Sequence, residues 1–197
     1  MQKNLDLITI LKGLKSYPTW TTGNSYEISV GVKNKNTLLI KGYHCSLEFP
    51  RFIKITPKLF WLMGFLNGEG TNATNKSGYL RFTITNSNPE FMKMALDILD
   101  ESKILPKFNI PDKSLKIGRS SLHDDKYLLN FWSKKLELPK FKFHLPLKKD
   151  ELKKAKYGVC HLYISNVLLR RVTDKIFEYF GKKYLRGKNS GAWNIRV

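Results

Sequence analysis

The sequence predicts a mixed α+β fold, with a β-rich N-terminal extension followed by a domain in which strands and helices alternate. Residues 26–33, 79–85 and 159–165 alternate between apolar and polar side chains, which is typical of half-buried strands. Residues 91–99 carry apolar side chains at helical spacing, and helix-start signals precede residue 57. With 197 residues, of which 42% are hydrophobic, the chain suits one domain, or one compact domain with an added arm.

The N-terminal extension, residues 1–55, holds no motif that assigns it a role. Residues 4–14 predict a short helix that ends near Gly13. A strand follows from Tyr26, the segment 34–36 is typical of a turn, and residues 37–49 predict one or two further strands. We therefore separate this extension from a main domain over residues 56–197.

The main domain begins with a well-marked helix, for which Thr56 is the cap and Pro57 the first residue. In the strand at 79–85, Arg81, Thr83 and Thr85 form the polar face. Next come a helix opened by residues 88–89, short strands near 105–110 and 115–119, and a helix near 126–135.

The last third of the chain begins with a predicted extended linker, residues 136–146, which contains two prolines. A short charged helix at 148–156, a strand at 159–165 and a helix at 168–180 follow, and residues 182–188 predict a phosphate-contacting or mobile arm. The strand matches the one 80 residues earlier, so that His161, Tyr163 and Ser165 correspond to its polar face. The match leaves open whether a second, degenerate half-unit begins near residue 137.

The charge of the chain favours a polyanionic partner, either nucleic acid or an anionic membrane face. The net charge is +19, and residues 103–197 carry 23 basic and 8 acidic residues, against 12 and 8 in residues 1–102. No apolar run approaches the roughly 20 residues of a membrane span, and no secretory signal opens the chain. These features, with only two cysteines, predict an intracellular protein that does not span a membrane.

Two other pairings of residues have chemical meaning. His44-Cys45 and Cys160-His161 offer zinc ligands, but the close spacing of usual zinc motifs is absent, which favours ordinary packing. Gly64 and Gly68 lie on one face of the predicted helix, although each glycine lowers the stability of a helix by about 1 kcal/mol relative to alanine.

Close approach of a second helix explains why two glycines lie on one helix face, because small residues let two backbones pack closely. If the second helix belongs to a symmetry-related copy, two Glu69 carboxylates meet and repel unless divalent cations lie between them. Such ions assist phosphodiester hydrolysis, so the spacing indicates a metal-assisted phosphodiesterase.

Residues 62–70, Leu62-Met63-Gly64-Phe65-Leu66-Asn67-Gly68-Glu69-Gly70, resemble the signature helix of the LAGLIDADG homing endonuclease family. Leu62 and Gly64 agree with it, Glu69 takes the position of the invariant acid, and Met63 and Asn67 depart from it. The family module is helix, two strands, helix, two strands, helix, and residues 57–135 are predicted to follow that order.

The resemblance implies an αββαββ(α) module whose saddle-shaped antiparallel sheet lies in the DNA major groove. It implies that Glu69, helped by the carbonyl of Gly68, binds the catalytic Mg²⁺ or another divalent cation such as Mn²⁺. Lys116 and Arg119 are candidates for the catalytic basic residue. The dimer interface is expected at Phe60, Gly64 and Gly68. The expected DNA-binding residues are Lys76, Arg81, Thr83, Thr85, Lys113, His161, Tyr163 and Ser165.

The chain contains one copy of the signature, because Pro146 breaks any helix at the position 80 residues later. We therefore expect a free-standing homodimer that cuts both strands of a long, roughly palindromic duplex. The alternatives are a DNA-binding regulator without cleavage, an RNA maturase that assists intron splicing, and a basic RNA-binding or ribosome-associated protein.

Overall fold

A computed structural model describes residues 4–14, 16–18, 25–42, 45–69, 82–102, 110, 113–118, 120, 122–145, 155–164, 166–180, 182–186 and 190–194. Within these ranges it describes only the backbone of residues 16–18, 25–26, 67–69, 82, 167, 177, 180, 182–186 and 190–194. The fold is mixed α+β, as the sequence predicts.

The described ranges contain five α-helices, one 3₁₀ turn and short strands. The helices are α1 (Leu7–Leu11), α2 (Pro57–Glu69), α3 (Pro89–Ser102), α4 (Asp125–Leu136) and α5 (Val167–Phe180), with the 3₁₀ turn at Lys140–Lys142. The strands are β1 (Asn4–Asp6), β2 (Ser16–Pro18), β3 (Ser25–Glu27), β4 (Ser29–Asn34), β5 (Thr37–Lys41), β6 (Ser46–Pro50), β7 (Phe52–Lys54), β8 (Phe82–Asn86), β9 (Leu115–Gly118), β10 (Phe143–His144), β11 (Val159–Ile164), β12 (Lys182–Arg186) and β13 (Ser190–Asn194).

Side-chain caps fix where the predicted helices begin. The backbone N–H of Leu59 donates to Thr56 Oγ1 at 3.2 Å, which confirms the predicted start of α2. Asn88 Oδ1 accepts from the N–H of Glu90 at 2.9 Å and so caps α3. Asp124 caps α4 by accepting from the N–H of Tyr127.

The central sheet has the strand order β10-β9-β11-β8. The strand β11 pairs antiparallel with both β8 and β9, and β10 pairs parallel with β9. β8 and β11, the two strands that match each other at an offset of 80 residues in the sequence, are therefore direct neighbours in one sheet. The expected linker at 136–146 is wrong in part, because residues 143–144 form the edge strand β10 and residues 140–142 form a 3₁₀ turn.

A glycine controls the turn into β11. Gly158 has φ of +68°, a left-handed conformation that glycine adopts without strain. A Cβ at this position would lie 2.1 Å from the carbonyl oxygen of Gly118, which is backbone and cannot yield. The pairing of β11 with β9 therefore requires glycine here.

The extension forms three small antiparallel sheets, β1-β7, β2-β3 and β4-β5-β6. The predicted helix at 4–14 is shorter than expected, since residues 4–6 pair with β7 and the helix covers residues 7–11. Asp6 sets this boundary because its side chain accepts from the N–H of Ile8 and also binds Arg51. The turn at 34–36 and the strands within 37–49 are confirmed.

One hydrophobic core joins the extension to the main domain. Leu7 and Leu11 of α1 belong to the same buried cluster as Leu168 and Val172 of α5. Trp132 is fully buried in this cluster, and its Nε1–H donates to the carbonyl of Tyr157 at 2.8 Å. Residues 182–186, expected as part of an arm, pair with β13 in a hairpin, and β13 lies against α2.

Candidate nucleic-acid interface

The pairing register of the central sheet aligns four polar residues in one row across its four strands. Thr85 on β8 lies opposite His161 on β11, and His161 lies opposite Lys116 on β9. Lys116 in turn lies opposite His144 on β10. Directly paired residues point to the same side of a sheet, so these four side chains share one face, which we call the polar sheet face.

The opposite face of the same sheet belongs to the core. The neighbouring row consists of Ile84, Leu162, Leu115 and Phe143, all of them buried. This division follows from the alternation in the sequence, because burying one set of side chains forces the other set outward. The expected outward placement of Thr85, His161 and Tyr163 is consistent with this arrangement.

Thr85 and His161 are joined by a hydrogen bond. Thr85 Oγ1 lies 3.0 Å from His161 Nδ1. The hydroxyl donates when Nδ1 is unprotonated and accepts when Nδ1 carries a proton. The contact can therefore fix the orientation of the imidazole in either charge state. The ring of His161 also stacks on that of Tyr163, with centroids 5.7 Å apart and planes 19° apart.

The other expected DNA-binding residues differ in accessibility. Thr83 pairs with Tyr163 but is only 7% exposed, so it is the least accessible of the described residues in that set. Lys113 is exposed in the turn before β9, with φ of 57°, and its backbone N–H donates to the carbonyl of Phe141. Lys76, Arg81, Arg119 and Ser165 lie outside the described residues.

His144 is a member of the row that the sequence analysis missed. It is exposed on β10, a strand of two residues in a segment with prolines on both sides. Such a strand is too short to show alternation, and its position depends on its pairing with β9.

The helix α2 exposes one face around Gly64. Leu59, Leu62, Met63 and Leu66 are buried, while Phe60 is 45% exposed. Gly64 is exposed, and a Cβ built there would meet no atom of the described residues within 4 Å. The glycine is therefore not required by packing within the described part of the chain.

Aromatic side chains lie beside this glycine. Trp61 stacks on Phe65 with centroids 5.1 Å apart, and Phe91 of α3 makes edge contacts with both rings. Phe91 is 46% exposed. Trp61 and Phe65 are partly buried against the core, so Phe91 and Phe60 are the exposed aromatic side chains near this glycine. Exposed aromatic groups beside an exposed glycine are typical of a helix-packing surface.

The helix ends at the expected metal ligands. The backbone of Gly68 and Glu69 forms the last two residues of α2, and their side-chain surroundings lie outside the described residues. Since the last four carbonyls of a helix lack intrahelical partners, the carbonyl of Gly68 accepts no N–H from within α2. A carboxylate and a carbonyl oxygen are ligands that suit Mg²⁺. The end of α2 therefore offers donors that fit the expected cation.

The structure also bears on the zinc alternative. Cys160 and His161 are consecutive on β11 and so point to opposite faces of the sheet. Cys160 is fully buried, and burial raises the pKa of its thiol, which disfavours the thiolate that zinc binds. Among the described residues, no three His, Cys, Asp or Glu side chains are grouped to hold a metal ion.

Comparison with protein-family models, curated proteins and solved structures found no match to this chain. In the part of the chain that the structure covers, no helix is long and apolar enough to cross a membrane.

Proposed function

We propose that the protein is a site-specific, metal-dependent DNA endonuclease of the LAGLIDADG type. The observation that carries the proposal is the row of Thr85, His161, Lys116 and His144 on one face of a sheet whose other face is buried. The signature at residues 62–70 and the net charge of +19 support the same conclusion.

The polar sheet face has the chemistry of a duplex-binding surface. Lysine contacts phosphates, hydroxyl groups accept and donate to bases or phosphates, and imidazole does both. Adjacent strands lie about 4.8 Å apart, so two or three of them match a major groove about 12 Å wide. None of the described residues paired into this face is acidic, so nothing in them opposes a phosphate backbone.

The order of elements supports the module. Within residues 57–136, the elements α2, β8, α3, β9 and α4 follow one another in the order expected for the helices and strands of the module. Residues 79–81 and 105–109, which the sequence assigns to strands of the module, lie outside the described residues.

The strands that form the central sheet favour a homodimer over a monomer with two half-units. β8 and β11, which match each other at an offset of 80 residues, belong to this one sheet. A second nuclease unit is then supplied by a second copy of the chain, packed through Phe60, Gly64 and Gly68. Gly64 permits close approach because it is exposed and a Cβ built there would meet no described atom within 4 Å.

In that dimer, Glu69 and the carbonyl of Gly68 from each copy would hold Mg²⁺ or Mn²⁺. When bound, the cation supplies charge stabilisation at the scissile phosphate and a more acidic water. Two α2 helices bring the acids together, and the polar sheet face holds the duplex in register. Lys116 belongs to the row, which favours a phosphate contact over the catalytic role considered from the sequence.

The test combines cleavage and binding. A plasmid library carrying randomised target sites is incubated with the full chain and Mg²⁺, and cut molecules are sequenced. Glu69→Gln is expected to abolish cleavage while the dissociation constant for duplex DNA changes less than about threefold. The matched control is Glu27→Gln, which removes an exposed carboxylate in the extension and should leave both activities intact.

Three results would contradict the proposal. Full cleavage by Glu69→Gln would remove the acid from the mechanism. Duplex binding by the wild-type chain without any cutting would favour the regulator, and tighter binding of structured RNA would favour the maturase or the ribosome-associated protein.

A further inference from the structure

We propose that the rings of His123, Tyr127, Phe131 and Tyr157 form a stacking site for the unpaired bases of single-stranded DNA. We call these four rings the aromatic platform. The inference goes beyond the cleavage of duplex DNA, and it rests on the proposed function only for the choice of DNA as the partner. Local sequence patterns do not reveal this site, because its rings come from separate segments of the chain.

The four rings of the aromatic platform are nearly parallel. The ring of His123 stacks on that of Tyr127, with centroids 4.1 Å apart and planes 20° apart. The ring of Phe131 stacks on that of Tyr157, with centroids 4.2 Å apart and planes 13° apart. The planes of His123 and Tyr157 differ by only 1°, so the two stacked pairs are aligned. Nucleobases stack on aromatic side chains in the same face-to-face way, so the platform has a geometry that suits a base.

Hydrogen bonds hold the segments of the platform in place. Ser120 Oγ donates to the carbonyl of Lys156 at 2.7 Å and accepts from the N–H of Leu122 at 3.1 Å. These bonds join the loop after β9 to the turn that carries Tyr157. The Nε1–H of the buried Trp132 donates to the carbonyl of Tyr157 at 2.8 Å. Rings that are already fixed lose little conformational freedom when a base stacks on them, which favours binding.

The platform is incompletely covered by the described part of the protein. Tyr127 is 44% exposed even though its ring stacks on His123, and Leu122 is 67% exposed. In addition, Nε2 of His123 is buried and has no hydrogen-bond partner among the described residues. Exposed apolar side chains mark binding surfaces, and a buried polar atom without a partner is an exception that is commonly found at functional sites.

The charges around the platform suit a nucleic acid whose bases supply most of the affinity. Nζ of Lys156 lies 5.1 Å from the ring centroid of Tyr157, and Lys126 is exposed in the first turn of α4. These two ammonium groups can contact the phosphates that flank a stacked base. Asp124 and Asp125 precede Lys126 and balance this charge. Binding at the platform should therefore depend on the bases and only weakly on salt.

The position of the platform in the fold favours DNA as the partner. The strand β9 ends at Gly118 and leads into the loop that holds His123, while the turn that holds Tyr157 leads into β11 at Val159. Gly118 and Val159 are paired, and they lie two residues, or about 7 Å, along their strands from the row of the polar sheet face. A single strand that continues from a duplex on that face can therefore reach the platform.

The experiment measures, by fluorescence anisotropy, the dissociation constant of the full chain for a labelled thymidine octamer at about 0.3 M salt, where phosphate contacts are weakened. The wild type should bind this strand at least about tenfold more tightly than an abasic strand of the same length, since stacking contributes through each base. A uridine octamer should bind no more tightly than the thymidine octamer, because the methyl group of thymine adds apolar contact.

Variants of Tyr127 locate the binding. Tyr127→Ala should weaken binding of the thymidine octamer at least about fivefold, whereas Tyr127→Phe keeps the ring and should bind as the wild type does. Tyr179→Ala is the matched control, because it removes a tyrosine that is 59% exposed on α5, and it should leave binding unchanged. If Tyr127→Ala does not fold, Tyr127→Leu replaces it, because leucine keeps apolar contact with His123 but has no ring to stack.

The outcomes separate this inference from the proposed function. Equal binding of the thymidine and abasic strands, or an unchanged affinity without the ring of Tyr127, overturns the stacking site alone. Tighter binding of the uridine octamer overturns the choice of DNA. A wild type that shows base-dependent binding through Tyr127 but neither binds nor cuts duplex DNA supports the stacking site and overturns the proposed function.

Discussion

Thr85 and His161 lie opposite each other on antiparallel neighbours, and their side chains share a hydrogen bond of 3.0 Å between Oγ1 and Nδ1. The two residues are 76 positions apart in the sequence. Their pairing links β8, the strand that follows α2, to a strand from the last third of the chain. It joins the edge strand β8 to the rest of the polar sheet face.

Removing the hydroxyl of Thr85 should weaken DNA binding without unfolding the sheet. Thr85→Val keeps the shape and the strand preference, but it leaves His161 Nδ1 without this partner. A net loss of about 0.5–1.5 kcal/mol corresponds to roughly twofold to tenfold in affinity. Fluorescence anisotropy with duplex DNA measures the change. Thr9→Val is the control, because it removes an exposed hydroxyl in the extension, and an equal loss in both variants would argue against a positioning role.

Substitutions at Gly64 should separate folding from dimerisation. Gly64→Ala is expected to stabilise the monomer by about 1 kcal/mol through helix propensity, since the added Cβ meets no described atom within 4 Å. Gly64→Leu should remain folded but prevent close helix approach, and so abolish both the dimer and cleavage. Sedimentation equilibrium and urea unfolding measure the two effects. A Gly64→Leu protein that remains a dimer would place the interface elsewhere.

Gly158→Ala should destabilise the chain far more than Gly118→Ala. At residue 158 the new Cβ lies 2.1 Å from a backbone oxygen, and the φ of +68° adds strain of about 1–2 kcal/mol. At residue 118 the nearest atom is 3.6 Å away, which is ordinary contact. Urea unfolding compares the two variants, and equal losses would mean that the turn at 158 adapts.

The ion pair between Asp6 and Arg51 should make stability depend on acid pH. The hydrogen bond from Arg51 lowers the pKa of Asp6, with a smaller lowering from the N–H of Ile8. A lowered folded-state pKa stabilises the fold above the ordinary carboxyl range near pH 4, and this contribution is lost as the pH falls through the folded-state value.

Asp6→Asn tests that dependence, because asparagine keeps an oxygen that can cap α1 but loses the charge and one of the two oxygens that accept from Arg51. The variant should be less stable than the wild type at pH 7, and the difference should shrink below about pH 4. Urea unfolding at pH 7, 4 and 3 gives the comparison. A difference that stays constant across this range would assign the effect to something other than the ion pair.

Local signals predicted the helices and the strands β8, β9 and β11 from the sequence. Thr56 and the start at Asn88 predicted α2 and α3, because a cap acts on the N–H groups of the next turn, whereas the cap of α4 by Asp124 was not recognised from the sequence. The alternation around Ile84 and Leu162 likewise reports which side of each strand is buried.

Long-range pairing was not predictable in the same way. Alternation assigns Thr85 and His161 to outward faces, but it does not say that they are neighbours. The strands β7 and β10 contain three and two residues, and each exists because of a distant partner, β1 and β9 respectively. His144 was missed for this reason.

The salt dependence of duplex binding tests most directly whether the polar sheet face binds DNA. The slope of log K against log salt concentration is compared for the wild type, Lys116→Gln and Lys35→Gln, of which the last removes an exposed charge from the turn between β4 and β5. Lys116→Gln should weaken binding and reduce the slope by about 0.9, the effect of one lost phosphate contact, while Lys35→Gln leaves the slope unchanged. A Lys116→Gln slope equal to that of the wild type would contradict the account.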